Sequence, residues 1–168
     1  CASHEGSDEH VTTVEGIQAK TGIREGDLRC GVRMPGDAAA YKALIARGER
    51  PTPNRNNCSG KHTGMLACAK LQGLPLDTYL EPNHPIQQDI VVTVAEMSGY
   101  PRGRVEIGVD GCSAPNFGLP LYNAALAYAR LCDPSGLSAS RAKAARQITA
   151  AMTAYPEMVS GRGEFDCQ

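Results

Sequence analysis

The sequence predicts an α+β fold dominated by helix. Three observations carry this expectation. Apolar residues recur at spacings of three and four in five or six separate segments. One segment, Arg104-Val105-Glu106-Ile107-Gly108-Val109-Asp110, alternates polar with apolar as a strand does. Stretches rich in Gly, Pro and Asn separate these segments, and no repeat or low-complexity linker divides the chain. Residues 1–168 are therefore expected to form a single domain or part of one.

Taken in order, Ser7, Asp8 and Glu9 suit an N-cap and an acidic first turn. Val11, Val14 and Ile17 then mark the apolar face of a first helix that ends at Thr21-Gly22. Residues 23–37 contain Gly26, Gly31, Pro35 and Gly36 and read as loop. A second helix is expected from Ala38 to Arg47, with Tyr41, Leu44 and Ile45 inward and Gly48 as its stop. After the irregular stretch 49–60, a third helix starts near Lys61 and carries Met65, Leu66 and Ala69 towards Gly73. Pro85 opens a fourth, with Ile86, Ile90, Val94 and Met97 on one face and Ser98-Gly99 at its end. The strand follows, then a loop of small residues, Ser113-Ala114-Pro115-Asn116. Leu121, Ala124, Ala125, Tyr128 and Leu131 mark a fifth helix. Ala144, Ile148, Met152 and Tyr155 mark a sixth, capped by Ser138 or Ser140. A lone strand cannot make a stable sheet, so other strands are either hidden in the pattern or lie outside this sequence.

Composition narrows the function. The chain has 168 residues, 42% of them apolar, enough for a real core. A formal net charge of −1 argues against a nucleic-acid partner, which needs a basic surface. No apolar run approaches membrane-spanning length. Seven cysteines, at positions 1, 30, 58, 68, 112, 132 and 167, form no CxxC pair, and are read as reduced thiols of a cytoplasmic protein. The chain opens at Cys1-Ala2-Ser3 without methionine, the mark of a removed tag or of a piece of something longer.

The densest chemistry lies in Asn54-Arg55-Asn56-Asn57-Cys58-Ser59-Gly60-Lys61-His62. Cys58 stands just ahead of a helix start, with Lys61 one turn on. Both the helix dipole and the ammonium favour a thiolate, the form that binds metals or attacks carbonyls. Cys112 sits in a polar loop directly after a strand end and Asp110, and two thiols on separate loops can share a zinc ion. Idle burial is the commoner fate of a cysteine. Gly60-Lys61 lacks the glycine and hydroxyl residue of a phosphate-binding loop. Ser140-Arg141-Ala142-Lys143 fits the S-x-x-K pattern of serine acyl enzymes, but helix capping and a solvated lysine account for it. Ser3-His4-Glu5 offers a nucleophile and bases. Adjacent residues do not face one another in an extended chain, so any partner of Ser3 comes from elsewhere, and the segment reads equally well as a polar loop feeding a helix cap.

Together these motifs resemble a known family. Ala2-Ser3-His4-Glu5-Gly6 with Glu9-His10-Val11, Asn56 to Leu66, His84-Pro85-Ile86-Gln87, Asp110 to Pro115, and Met158-Val159-Ser160-Gly161 are similar to the L-asparaginase II family of the Rhizobium etli type. The resemblance implies an amidohydrolase converting L-asparagine to L-aspartate and ammonia through a serine acyl-enzyme. It implies a fold similar to part of a serine β-lactamase, an antiparallel sheet with helices around it. It assigns Ser3 as a catalytic serine, Cys58, Lys61 and Cys112 as ligands of a Zn²⁺ ion, and His62 and Asp110 as substrate-binding residues. The family's S-x-x-K segment would precede Cys1, and further strands and a lysine for Ser3 would follow Gln168. The chain is thus expected to be the central part of the family's length, weakly active or inactive alone. A small-molecule substrate, no membrane and a homodimer are expected. The alternatives are a non-catalytic zinc- and amino-acid-binding member and, more remotely, an amidase using Cys58 with His62. Preference for asparagine over glutamine stays open.

Overall fold

The computed structural model describes residues 3–167. Cys1, one of the seven cysteines read as thiols, lies outside the described residues. The chain is helix-rich with one small antiparallel sheet, in the order α1 (Asp8–Thr21), α2 (Ala38–Arg47), α3 (Ser59–Leu71), α4 (Pro85–Ser98), β1 (Glu106–Val109), β2 (Pro115–Gly118), α5 (Leu121–Cys132) and α6 (Ala139–Ala154). It divides into two compact units. The first contains residues 3–80, 111–114 and 156–167, and the second contains 81–110 and 115–155.

In the first unit α1 packs on α3. The start of α1 is fixed by a capping box in which Ser7 and His10 satisfy each other's backbone N–H groups. Gly22, in the left-handed conformation, closes it. The buried face of α1 is His10, Val14 and Gln18, spaced by four, rather than Val11, Val14 and Ile17. Ile17 is exposed. The correction has a physical reason: His10 and Gln18 find buried hydrogen-bond partners, so polar side chains can take the inner stripe. A similar correction applies to α2, where Ala40 and Leu44 are buried while Tyr41 and Ile45 are exposed. The expected face of α3 holds, with Met65, Leu66 and Ala69 buried. Burying a side chain such as Leu66 is worth roughly 1.5–3 kcal/mol.

In the second unit α4 packs against α5, and α5 against α6. His84 caps α4 by accepting from the Ile86 N–H, with Pro85 next as a pre-formed first-turn residue. Arg130 of α5 donates to the Glu96 and Met97 carbonyls at the end of α4, which helix geometry leaves without intrahelical partners. Arg141 of α6 donates to Thr93 and pairs with Glu96. The expected strand forms over Glu106–Val109 and pairs antiparallel with a second strand, Pro115–Gly118, in the register Ile107 opposite Phe117. This second strand replaces the end of the segment read as a loop of small residues. Three of its four residues, Pro115, Asn116 and Gly118, are of types depleted in strands, with Phe117 alone favouring one, so its own sequence marks it only weakly. Among the described residues no helix is long and apolar enough to cross a membrane.

Candidate active site

The site in the first unit is assembled by the asparagine run, in which each asparagine has a different task. Asn54 is buried, and its side-chain amide pairs with that of Gln18 on α1 (2.8 and 3.3 Å). Asn56 is buried one loop further on. Its Nδ2 donates to the Cys30 carbonyl (2.9 Å) while its Oδ1 accepts from the Cys58 N–H (2.9 Å). That bond closes a side-chain turn directly ahead of α3. Asn57 donates from Nδ2 to the Ser3 hydroxyl (3.0 Å), and its backbone carbonyl accepts from the His4 N–H (3.0 Å). The run is therefore a clamp between the N-terminal segment, the loop at 30–31 and the start of α3.

Cys58 is the N-cap of α3, which begins at Ser59, two residues earlier than the apolar pattern indicated. The Cys58 and Cys112 side chains are both buried, and their sulfurs lie within 4.8 Å of each other. Cys112 is held in a tight turn in which Ser113 adopts φ +68°, a left-handed conformation costly for a non-glycine residue. Lys61 lies three residues past Cys58 in the first turn of α3 and is half-buried. Asp110 is half-buried and precedes Cys112 by two residues, where the chain passes from the second unit's segment into the first. Cys30 is a third buried thiol, not singled out in the sequence. Burial, with the nearby Cys58 and Cys112 thiols, pushes its ionisation up to about 11. It stays protonated near neutral pH. The six described cysteines, Cys30, Cys58, Cys68, Cys112, Cys132 and Cys167, are thiols rather than disulfides.

His62 is fully buried on α3 and not at the surface. Its Nδ1 lies 2.6 Å from the Tyr79 hydroxyl, which accepts from the Arg29 N–H at 2.9 Å. Burial pushes the Tyr79 hydroxyl up to about 12, so it remains protonated beside His62. Sequence reasoning did not find Tyr79, which lies in a turn-rich segment without helical or strand period.

The N-terminal segment is equally ordered. The Gly6 N–H donates to His4 Nδ1 (3.0 Å), so His4 Nε2–H donates to Ser59 Oγ (2.9 Å), and Ser59 donates in turn to the Asn54 carbonyl (2.9 Å). The His4 and His10 rings stack with centroids 4.6 Å apart. His10 Nε2–H donates to the Glu157 carbonyl (2.8 Å). Burial first, and the neighbouring His10 second, lower the His4 imidazole to about 4. Its side-chain partner is thus Ser59 rather than Ser3. Gly6 makes the close approach possible: at φ +69° a Cβ there would fall 2.5 Å from the Arg55 carbonyl oxygen. Gly6→Ala is expected to lower stability by about 2 kcal/mol, measured as a shift in the urea midpoint; an unchanged midpoint would show that this loop relaxes freely.

Ser3 is exposed and opens onto a cavity of about 280 Å³ whose lining includes Arg33, Met34, Arg55 and Asn57. A second cavity, about 510 Å³, is lined by Glu5, Asp8, Glu9, Asp37, Glu157 and Glu164 among others, and its Arg162 is held by Glu9 in a two-bond pair. Ser140, the serine of the rejected S-x-x-K match, sits in the first turn of α6, 3.3 Å from the capping Ser138 hydroxyl, with Lys143 exposed.

Among the predicted residues of this unit, Cys58 and Cys112 are brought together, and Ser3 is tied to Asn57, the residue before Cys58. No curated protein gives a significant match to the chain. The family model described as L-asparaginase II matches residues 1–168, the whole length. On that match the chain belongs to the L-asparaginase II family.

Proposed function

We propose that this chain supplies the serine nucleophile and a thiol metal centre for an amidohydrolase that converts L-asparagine to L-aspartate and ammonia. The observation that carries the reading is the Asn57–Cys58 step. The Asn57 amide holds the Ser3 hydroxyl, and the next residue heads α3 with its thiol within 4.8 Å of Cys112. In the proposed reaction Ser3 Oγ attacks the side-chain amide carbon, forming an ester as the C–N bond breaks and ammonia leaves with the serine proton. Water then hydrolyses the ester, releasing aspartate and restoring Ser3. A donated N–H at Ser3 Oγ favours the charge that builds on this oxygen as its proton departs.

The donor set suits zinc. Two buried thiols satisfy its preference for sulfur, and Zn–S bonds of about 2.3 Å in tetrahedral geometry put two sulfurs roughly 3.8 Å apart, inside the observed limit. Lys61, one helical turn from Cys58, and Asp110, two residues from Cys112, are the next donors along the chain. A bound zinc ion would supply a fixed positive charge and Lewis acidity. Asp110 is equally suited to pairing with a substrate ammonium, and His62, one residue past Lys61, to supporting the wall of the pocket.

The test is ammonia release together with labelling by a diazoketone analogue of asparagine. The wild-type chain is expected to become labelled at Ser3, with Ser3→Ala unlabelled and any turnover reduced at least about 10³-fold. Labelling at Cys58, or turnover unaffected by Ser3→Ala, would sink the serine reading.

A further inference from the structure

Among the described residues, one cation that lines the cavity beside Ser3 has no anionic partner. Arg55 is committed: its Nη1 donates to the Gly6 carbonyl (3.0 Å) and its Nη2 pairs with Asp8. Arg33 is exposed, and among the described residues it forms no ion pair. Its one hydrogen bond among them runs from Nη1 to Asn57 Oδ1 (3.4 Å). A guanidinium has five N–H donors in a planar fork that matches a carboxylate. Most of that fork is therefore available to the cavity.

The Asn57 amide is polarised from both ends. Its Oδ1 accepts from Arg33, and its Nδ2 donates to Ser3 Oγ. The two bonds fix the orientation of the amide, since reversing it would set an NH₂ against the guanidinium. They also fix a distance. Through one amide group, the guanidinium and the hydroxyl stand no more than about 9 Å apart. A four-carbon amino-acid amide spans that gap with its α-carboxylate at one end and its reacting carbonyl at the other. Glu5 also lines the cavity, but its side chain is packed beside Gly36 and Gly161, where a Cβ on Gly161 would fall 2.7 Å from Glu5 Cγ.

We infer that Arg33 is the carboxylate-recognition residue of the Ser3 cavity and that Asn57 is a positioning residue coupling it to the serine. The inference rests on the proposed function for the identity of the ligand and on the cavity alone for its chemistry. Carboxylate binding draws on the Arg33 N–H groups that Asn57 leaves unused, while Asn57 keeps its own bond to Ser3.

The experiment is calorimetric titration of the 168-residue chain with L-asparagine, with L-asparaginamide (which lacks the carboxylate) and with succinate. Arg33→Gln is expected to weaken L-asparagine and succinate at least about 30-fold and to change L-asparaginamide less than about 2-fold. Arg33→Lys should fall between, since an ammonium keeps the charge without the fork. Because Arg33 is exposed, the melting temperature should not move. Asn57→Ala is expected to lower kcat about 10-fold with little change in KM. Equal losses for the amide and the acid, no loss for either, or no binding of any carboxylate by the wild type would overturn the inference. Ser3→Ala separates this from the catalytic reading. It should bind carboxylates as the wild type does, so full turnover in Ser3→Ala with the Arg33 dependence intact would remove the serine mechanism and leave the recognition site standing.

Discussion

Acidification from pH 7 to pH 4 is expected to remove about 3 kcal/mol of folding stability through His4 alone. The imidazole is buried, and its two nitrogens are both committed, Nδ1 as acceptor from the Gly6 N–H and Nε2–H as donor to Ser59. A proton on Nδ1 would break the first bond and place a charge in the interior beside His10. The folded imidazole therefore titrates at about 4, against 6.5 for an ordinary histidine. Between these values the unfolded chain binds a proton that the folded chain refuses, so stability falls as pH falls. The contribution is complete above pH 6.5, is lost through the interval, and levels off below pH 4, the gap corresponding to roughly 3 kcal/mol. Carboxylates titrate in the same window, so the measurement is a comparison. Urea unfolding of wild type and His4→Asn, which keeps an acceptor near the Nδ1 position, should give a lower but flatter pH profile for the variant. Parallel profiles would show that His4 does not control the acid limb.

Much of the helical framework was legible in the sequence because its signals are local. Gly22, Gly48 and Gly99 each end a helix in the left-handed conformation, at the places that the glycines and the apolar spacing indicated. Facing was less legible. Whether Ile17 or Gln18 turns inward depends on a partner 36 residues away, Asn54, which no periodicity reveals. The second strand escaped for a related reason: in Pro115–Gly118 only Phe117 favours a strand, so its own sequence marks the pairing with β1 only weakly.

The candidate site divides along the same line. Cys58 and Cys112 carried chemical signals in the sequence, a helix start and a strand end, and the fold brings those two thiols together. Their support did not. Asn56, Tyr79 and Cys30 act through contacts with residues 26, 50 and 23 positions away, and a sequence without its fold gives such pairings no mark. Ser3 and His4 were legible to this extent: neighbours in an extended chain face opposite ways, and the chain direction does send His4 inward to Ser59 and leave Ser3 outward on Asn57.

Loss of metal is the sharpest consequence of the thiol pair. The purified chain is expected to bind one zinc ion, and Cys58→Ser and Cys112→Ser are each expected to bind none, because one thiolate with oxygen donors gives up most of the preference of zinc for sulfur. Cys30→Ser should retain it. Its sulfur does not belong to the group of donor atoms, within 4.8 Å of one another, that contains those of Cys58 and Cys112. Stability gives a second readout. A ligand at a thousand times its dissociation constant adds about 4 kcal/mol to a folded state that alone binds it, so a chelator should lower the melting temperature of wild type and Cys30→Ser towards that of the two ligand variants, which it should leave unmoved. Zinc retained in both Cys58→Ser and Cys112→Ser would place the ion elsewhere. Zinc lost in Cys30→Ser as well would make the centre a three-thiol site, with the burial of Cys30 overcome by the charge of the metal.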